Sequence, residues 1–393
     1  MDYSQCIAVY FNSEEIVKDD IVWGLLELGI EVERPEYRVP LQEYQEEQVE
    51  QILPLIVQRT FVITQDFSAV VARACDAAHI PYISWVYDSP QRSLYLKEAL
   101  LSMNYIFVFD KKQCERLKAI GIQHVFHQPL AGNIAKASIL KITDEDIEKY
   151  SSDISFVGQM YQRSYQESFF RCAPPEAKEQ FDSFFSKTVC NWKKGCTIFN
   201  QLGPDANEYM LRGLIEQDYN NYRIDKKYAG EVLIVATTIA GMERKAVLCE
   251  AAQLGQCDLY TNSLVEEKAF ANVRIHPPID YNSEIYKVYF SSKINLNITM
   301  RAIESGIPQR IFDIMSVGGF VLTNEQEEIE ELFTPGVDLV TFQSLDEMKD
   351  KIGYYLSHER ERIRIAMNGY QKVRDYYSYP HQLTTILKNL GIG

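Results

Sequence analysis

Residues 301–323, RAIESGIPQRIFDIMSVGGFVLT, pass from a charged turn into a short helix, then a double glycine, then a strand. Pro308 suits the start of a helix, where its missing N–H has no partner to lose. From Arg310, steps of three place Asp313 and Ser316 on one face, and Ile311, Phe312 and Met315 form the apolar side. The pattern predicts a helix whose polar face turns away from the core. Arg310 falls near the helix N-terminus, where free N–H groups and the helix dipole favour an anion. A phosphate fits there, and Asp313 one turn on can accept hydrogen bonds from ribose hydroxyls. Gly318 and Gly319 let the backbone turn sharply and approach a ligand before the next strand. The competing reading is a solvated Arg–Asp pair at i,i+3 followed by an ordinary turn, and spacing alone leaves both open.

Outward from this stretch, short apolar runs alternate with helical segments. CIAVYF (6–11), IEVERP (30–35), RTFVIT (59–64), IPYISWVYD (80–88) and NYIFVFD (104–110) read as strands in the first half. ISFVGQ (154–159), CDLYTN (257–262), VRIHPP (273–278), INLNIT (294–299), GGFVLTN (318–324) and DLVTF (338–342) read as strands in the second. Runs this apolar need helices on both faces, which is the parallel-sheet pattern of an α/β protein. EVLIVATTI (231–239) fits a strand or the start of the helix that continues through GMERKAVLCEAAQLG. The polar segment after QPLAGN (128–133) marks a boundary between residues 132 and 153. We therefore expect an N-terminal domain over 1–140, a C-terminal domain over 153–375 with a helical insertion near 165–228, and a tail over 376–393. Two such domains in series imply a cleft between them.

Composition limits the partners. A chain of 393 residues exceeds the usual single core, and 46% hydrophobic residues supply two. A net charge of -15 works against a nucleic-acid backbone or an anionic membrane, although a local basic pocket can still hold a small anion. The eight cysteines include no C-x-x-C and form no metal-ligand pattern with the six histidines. No signal-like leader follows Met1, and no apolar run reaches the roughly 20 residues that span a bilayer. A reduced, cytoplasmic protein is expected.

Candidate residues cluster at strand ends. Asp88 follows an aromatic strand and precedes Ser89-Pro90, at the C-terminal edge where α/β folds place ligands. Its carboxylate can deprotonate an acceptor hydroxyl as general base, or cap the turn. Trp85 and Tyr87 alternate on that strand and offer a sugar-stacking surface or ordinary packing. Asp110 is placed to cap the helix KKQCERLKAIG. Gly158 can admit donor phosphates to the loop after its strand, with Arg163 pairing to them, or the two can form a plain turn and a surface arginine. Lys293 or Arg301 can contact a diphosphate, or Lys293 simply flanks its strand. No D-x-D metal site is evident: DED at 144–146 lies in the charged linker.

The block from SSKINLNIT through AIESGIPQRIFDIMSVGGFVLTNEQEEIEELF to the final helices resembles the C-terminal region of the CgeB-like glycosyltransferases of spore maturation, related to glycosyltransferase family 4. WVYDSP (85–90) and DISFVGQMYQR (153–163) extend the likeness across most of the chain. The resemblance implies a GT-B fold: two Rossmann-like domains facing a central cleft, donor on the C-terminal side, acceptor on the N-terminal side. It implies a nucleotide-sugar co-substrate, UDP-linked by preference, transferred to a hydroxyl of a glycan, protein or small molecule, with no cofactor and no metal. Arg310 matches the family arginine, and Asp313 stands where glutamate is usual, one methylene shorter. The earlier glutamate of family 4 falls at Ser305, with Glu304 adjacent. A base near the acceptor suits inversion, whereas the family-4 relationship implies retention. A nicotinamide oxidoreductase is disfavoured because VYFNSEE lacks G-x-G-x-x-G after the first strand. A non-catalytic protein that keeps the GT-B shape is the alternative.

Overall fold

Strand pairing is parallel throughout, in two separate sheets. The computed structural model describes residues 3–11, 18–40, 44–161, 164–193, 202–214 and 223–392. The first half contributes β1 (Ile7–Tyr10), β2 (Glu31–Glu33), β3 (Phe61–Gln65), β4 (Tyr82–Val86), β5 (Asn104–Val108) and β6 (Val125–His127), in the order β2-β1-β3-β4-β5-β6. The second contributes β7 (Ser152–Val157), β8 (Cys257–Tyr260), β9 (Val273–His276), β10 (Ser292–Asn297), β11 (Val321–Asn324) and β12 (Val340–Phe342), in the order β12-β11-β10-β7-β8-β9. β3 and β4 are buried along their whole length, as strands covered by helices on both faces must be. The sequence pattern misses β6, whose three residues are too few to show a period.

The second sheet is interrupted after β7 by helices Ser164–Arg171, Pro175–Thr188, Pro204–Leu214 and Lys226–Gly230. Phe169, Phe170, Phe181 and Phe185 pack edge-to-face and stacked among them, which gives the insertion its own core. Residues 231–239 are helical: a π-helical turn, Glu231–Ala236, runs into the helix Thr237–Ala251. Their β-branched composition favours a strand, but burial of Val232, Val235 and Ile239 against the insertion overrides it.

The two halves are joined by a packed junction. The helix Tyr379–Asn389, expected as part of a tail, returns to the first half and packs on Lys18–Glu27, burying Tyr379, Leu383, Ile386 and Leu387. Asp110 caps the helix Lys111–Ala119, accepting from the backbone N–H of Lys112 at 3.0 Å and of Gln113 at 3.3 Å. The same carboxylate accepts from the Glu304 N–H at 2.8 Å and the Ser305 hydroxyl at 2.8 Å, across the junction. Arg116 pairs with Glu304 at 2.6 Å, and His127 meets the buried Glu328 at 2.7 Å.

Gly306 lets the halves touch: a Cβ there would lie 2.7 Å from the Phe109 carbonyl oxygen and 2.9 Å from the Asp110 Cα. Both neighbours are backbone, so they cannot swing aside. Gly306→Ala is expected to destabilise the protein by about 1–3 kcal/mol, read as a lowered urea midpoint, because overpacking forces the junction apart.

Candidate functional site

A cavity of ≈ 490 Å³ opens between the two sheets at the C-terminal ends of β3, β4, β7, β8 and β10. The first half supplies Gln65, Tyr87, Asp88 and Ser89 to its wall; the second supplies Gly158, Tyr161, Arg244, Asn297, Arg310 and Asp313. Its volume falls in the usual range for a small-molecule site. The junction contacts hold these two walls at a set distance.

Two arginines dominate the second wall. Arg310 is the second residue of the helix Gln309–Ser316, whose N-terminus has no side-chain cap. Its Nη1 donates to Asn297 Oδ1 at 2.7 Å, and its guanidinium lies 4.9 Å from the Phe156 ring centre. Arg244 reaches the same ring, at 5.3 Å, and lies 4.7 Å from the Tyr161 ring. It donates to the carbonyl oxygens of Gln159 and of Ile298. Among the described residues neither arginine forms an ion pair. Burial pushes the Arg244 pKa down to about 10, with Tyr161 opposing and Arg310 adding repulsion, so it stays charged at neutral pH. Two cations over one ring, with no ion pair to a carboxylate among the described residues, can accommodate an anion on an acidic protein.

Small residues make that corner possible. A Cβ at Gly158 would sit 2.6 Å from Arg310 Nη2, and one at Gly241 would sit 2.7 Å from the Met160 carbonyl oxygen. Gly241 therefore lets its helix approach the loop after β7 and carry Arg244, one turn on, beneath Tyr161. Tyr161 itself holds φ at 52°, the left-handed region that non-glycine residues seldom occupy.

Asp313 is buried beside Arg310 on the cavity wall. The expected solvated polar face is wrong for this helix: Asp313 and Ser316 lie 2% and 0% exposed, because the face packs into the junction rather than away from the core. Gln309 Nε2 donates to Asp313 Oδ1 at 2.7 Å, Tyr281 to Oδ2 at 2.8 Å and Tyr286 to Oδ1 at 3.2 Å. A carboxylate offers about four lone-pair sites, so three donors leave one for a ligand. Burial raises the Asp313 pKa to about 7, Gln309 lowers it, and the nearby Asp20 raises it again.

On the opposite wall, Asp66 Oδ1 accepts from the backbone N–H of Tyr87 at 2.9 Å and of Asp88 at 3.3 Å, which braces the loop after β4. The Asp88 carboxylate lines the cleft and, among the described residues, accepts no hydrogen bond, so it does not cap the turn. The protein mass around it raises its pKa. Tyr87 lines the cavity with its hydroxyl 3.4 Å from that of Tyr379.

Five expected contact residues are placed elsewhere. Trp85 is fully buried between Tyr87 and Tyr379, with no face for a sugar, because the returning C-terminal helix covers it. Lys293 is the second residue of β10, at the end away from the cleft, and pairs with Asp153 at 2.7 Å. Gly318 and Gly319 close the helix Gln309–Ser316: Gly319 N–H bonds to Ile314 O at 2.9 Å and Gly318 N–H to Met315 O at 3.0 Å, a Schellman cap with Gly318 at φ 75°. They shape the helix end and do not reach the cavity. Arg301 is held by buried Glu243 at 2.6 Å. Arg163 lies outside the described residues.

Arg244 was absent from the sequence-derived candidates. Its signal was an arginine in register with Ala240, Gly241, Val247 and Leu248, all on the buried stripe of the helix.

The fold is that of GT-B proteins. It is shared with HepE of Anabaena, solved with UDP and glucose, at 10% identity over 98% of this chain and 99% of that chain, with a TM-score of 0.57. It is shared also with a glycosyltransferase of Rickettsia africae, at 11% identity over 98% of each chain and a TM-score of 0.57. Sucrose-phosphate synthase of Thermosynechococcus elongatus matches at 9% identity over 98% of this chain and 99% of that chain, TM-score 0.50. Residues 244–388, which begin at Arg244 and include Arg310 and Asp313, match a family described as glycosyl transferase-like. No curated protein matches the sequence.

The Asp313 shift has a signed consequence for stability. Between about pH 4 and pH 7 the native state holds a proton that the unfolded chain has released, so the contribution of this group falls as pH rises through that window. The urea midpoint of Asp313→Asn relative to wild type is expected to climb from pH 4 to pH 7 and then level off. A difference that stays constant across this range would show that Asp313 titrates normally.

Proposed function

We propose that the protein is a nucleotide-sugar-dependent glycosyltransferase of the CgeB-like type, related to glycosyltransferase family 4, with a UDP-sugar as the favoured donor. The observation that carries this reading is the pair Arg244 and Arg310, which form no ion pair among the described residues, the second of them at an uncapped helix N-terminus, inside a cleft between two Rossmann-like halves. The diphosphate of the donor sits between Arg244 and Arg310, which neutralise the leaving nucleoside diphosphate without a metal ion. Gly158 gives it room, and Asp313 accepts from the ribose hydroxyls. The GT-B likeness to HepE, whose structure contains UDP and glucose, agrees with this donor.

Asp88 acts from the acceptor wall as general base. The acceptor oxygen attacks the anomeric carbon, its proton passes to the Asp88 carboxylate, and the bond from the anomeric carbon to the diphosphate oxygen breaks with its electron pair leaving on UDP. An unpartnered base across the cleft from the arginines suits an inverting displacement, whereas the family-4 relationship implies retention; the anomeric configuration of the product separates them. The seven described cysteines are free thiols, and among the described residues no helix is long and apolar enough to cross a membrane. Both features accord with the cytoplasmic location we assign.

One observation favours a second reading, a non-catalytic GT-B protein that binds nucleotide. Ser305 and Glu304, which stand at and beside the position of the earlier family-4 glutamate, are committed to the junction with Asp110, Arg116 and Glu328 and do not line the cavity. Binding without turnover would mark that case.

Calorimetric titration with UDP, GDP, ADP and TDP tests the site, and release of UDP from UDP-sugars with added acceptors tests the reaction. Arg310→Ala and Arg244→Ala are each expected to weaken UDP about 10- to 100-fold, while Asp88→Asn leaves UDP affinity unchanged and abolishes transfer. Equal affinity of wild type and both arginine variants would remove the donor assignment.

A further inference from the structure

Asp313 is connected to the first half of the molecule through a buried polar chain. Tyr286, on the helix Ile285–Ser291, places its hydroxyl 3.2 Å from Asp313 Oδ1, 3.1 Å from the Tyr281 hydroxyl and 3.4 Å from Asp20 Oδ2. Asp20 belongs to the helix Lys18–Glu27 of the first half and is 1% exposed. Its other oxygen is held by Lys136 Nζ at 2.9 Å and Asn133 Nδ2 at 2.8 Å, both from the segment that links the halves. Lys136 also lies 5.0 Å from the Tyr286 ring centre. One tyrosine hydroxyl, with a single proton to donate, thus stands between two buried carboxylates from opposite halves of the protein.

We propose that Asp20 and Tyr286 are positioning residues for nucleoside recognition: through them the junction sets the charge and orientation of Asp313, so that binding of the ribose hydroxyls is linked to a proton. The proposal rests on the donor assignment above and extends it to how that acid is controlled. A ribose hydroxyl donates into the one acceptor site that Gln309, Tyr281 and Tyr286 leave on Asp313, a site that is open while the carboxylate is ionised. When Tyr286 serves Asp313, it favours the ionised form; the Asp20 charge opposes it, and Lys136 moderates Asp20. The other groups facing Asp313 act on the same balance. They are Arg310 and Gln309 on its own helix, Tyr281 and Tyr289 on the neighbouring wall, and Tyr87 and Tyr379 from the first half. All four of those tyrosines are raised by burial and stay neutral near pH 7, so Asp20 is the group whose charge reaches Asp313 across the junction.

Full-length protein titrated with UDP and with its 2′,3′-dideoxy analogue from pH 5.5 to 8.5 (roughly the span over which the proton is exchanged) isolates the diol, because base and diphosphate are common to both. The ratio of the two affinities is expected to rise with pH, with a midpoint near the raised value of Asp313. Asp20→Asn removes the opposing charge and should move the midpoint down by about half a unit to one unit. Tyr286→Phe removes a donor and should move it up by a similar amount. Opposite shifts are the signature, since a loosened junction would move both variants the same way. Shifts of one sign, unmoved midpoints, or a ratio independent of pH in wild type overturn the inference while UDP binding keeps the donor assignment. A wild type that binds neither nucleotide overturns both. If Asp20→Asn fails to fold, Tyr286→Phe alone decides: an upward midpoint is expected, and an unmoved or lowered one overturns the inference.

Discussion

Two guanidinium groups lie over the Phe156 ring, 5.3 and 4.9 Å from its centre, and among the described residues neither is paired with a carboxylate. Like charges repel, and a buried cation loses solvation, so this corner is held together by the rest of the fold rather than by itself. Carbonyl oxygens of Gln159 and Ile298 hold Arg244, Asn297 holds Arg310, and the ring quadrupole of Phe156 serves both. The glycines at 158 and 241 are the steric condition for their approach. An anion with two or more charges would relieve the repulsion, which is why we propose a diphosphate there on a chain whose net charge is -15.

The junction determines where the facing wall stands. Asp110 is at once a helix cap and a bridge to Glu304 and Ser305, so one carboxylate joins local folding to domain arrangement. The residues at 304 and 305 therefore act in architecture rather than at the cavity. Asp88 lines the facing wall of the cavity, presented by a loop that Asp66 braces through two backbone N–H groups. Asp313 combines both roles: it faces the cavity, and its partners reach back to Asp20 in the other half.

Some of this was legible in order along the chain. Short apolar runs set between helical segments identify parallel strands, because a strand covered on both faces has no polar side to display. The helix Gln309–Ser316, its start at Pro308, the glycines at its end and the cap at Asp110 all depend on neighbours within a few positions. Such features are local, and their chemistry is written in consecutive residues. β6 was lost because three residues carry no period, and residues 231–239 were ambiguous because strand propensity and helical packing opposed each other.

What only the tertiary structure decided is which element meets which. Periodicity names the polar face of the helix Gln309–Ser316 but not what packs on it, and that face proves to be buried in the junction. Trp85 becomes core because a helix almost 300 positions later in the chain returns to cover it. Lys293 sits at the wrong end of its strand for the cleft. Arg244 enters the site because a helix approaches a loop more than 80 positions earlier, with contact distances no linear spacing encodes. The sequence by itself determined the α/β architecture and the helix Gln309–Ser316 with its start and stop, since these follow from local propensity and burial pattern. The pairing of Arg244 with Arg310, and the link from Asp313 to Asp20, arise from long-range packing, where one residue's environment is supplied by another part of the chain.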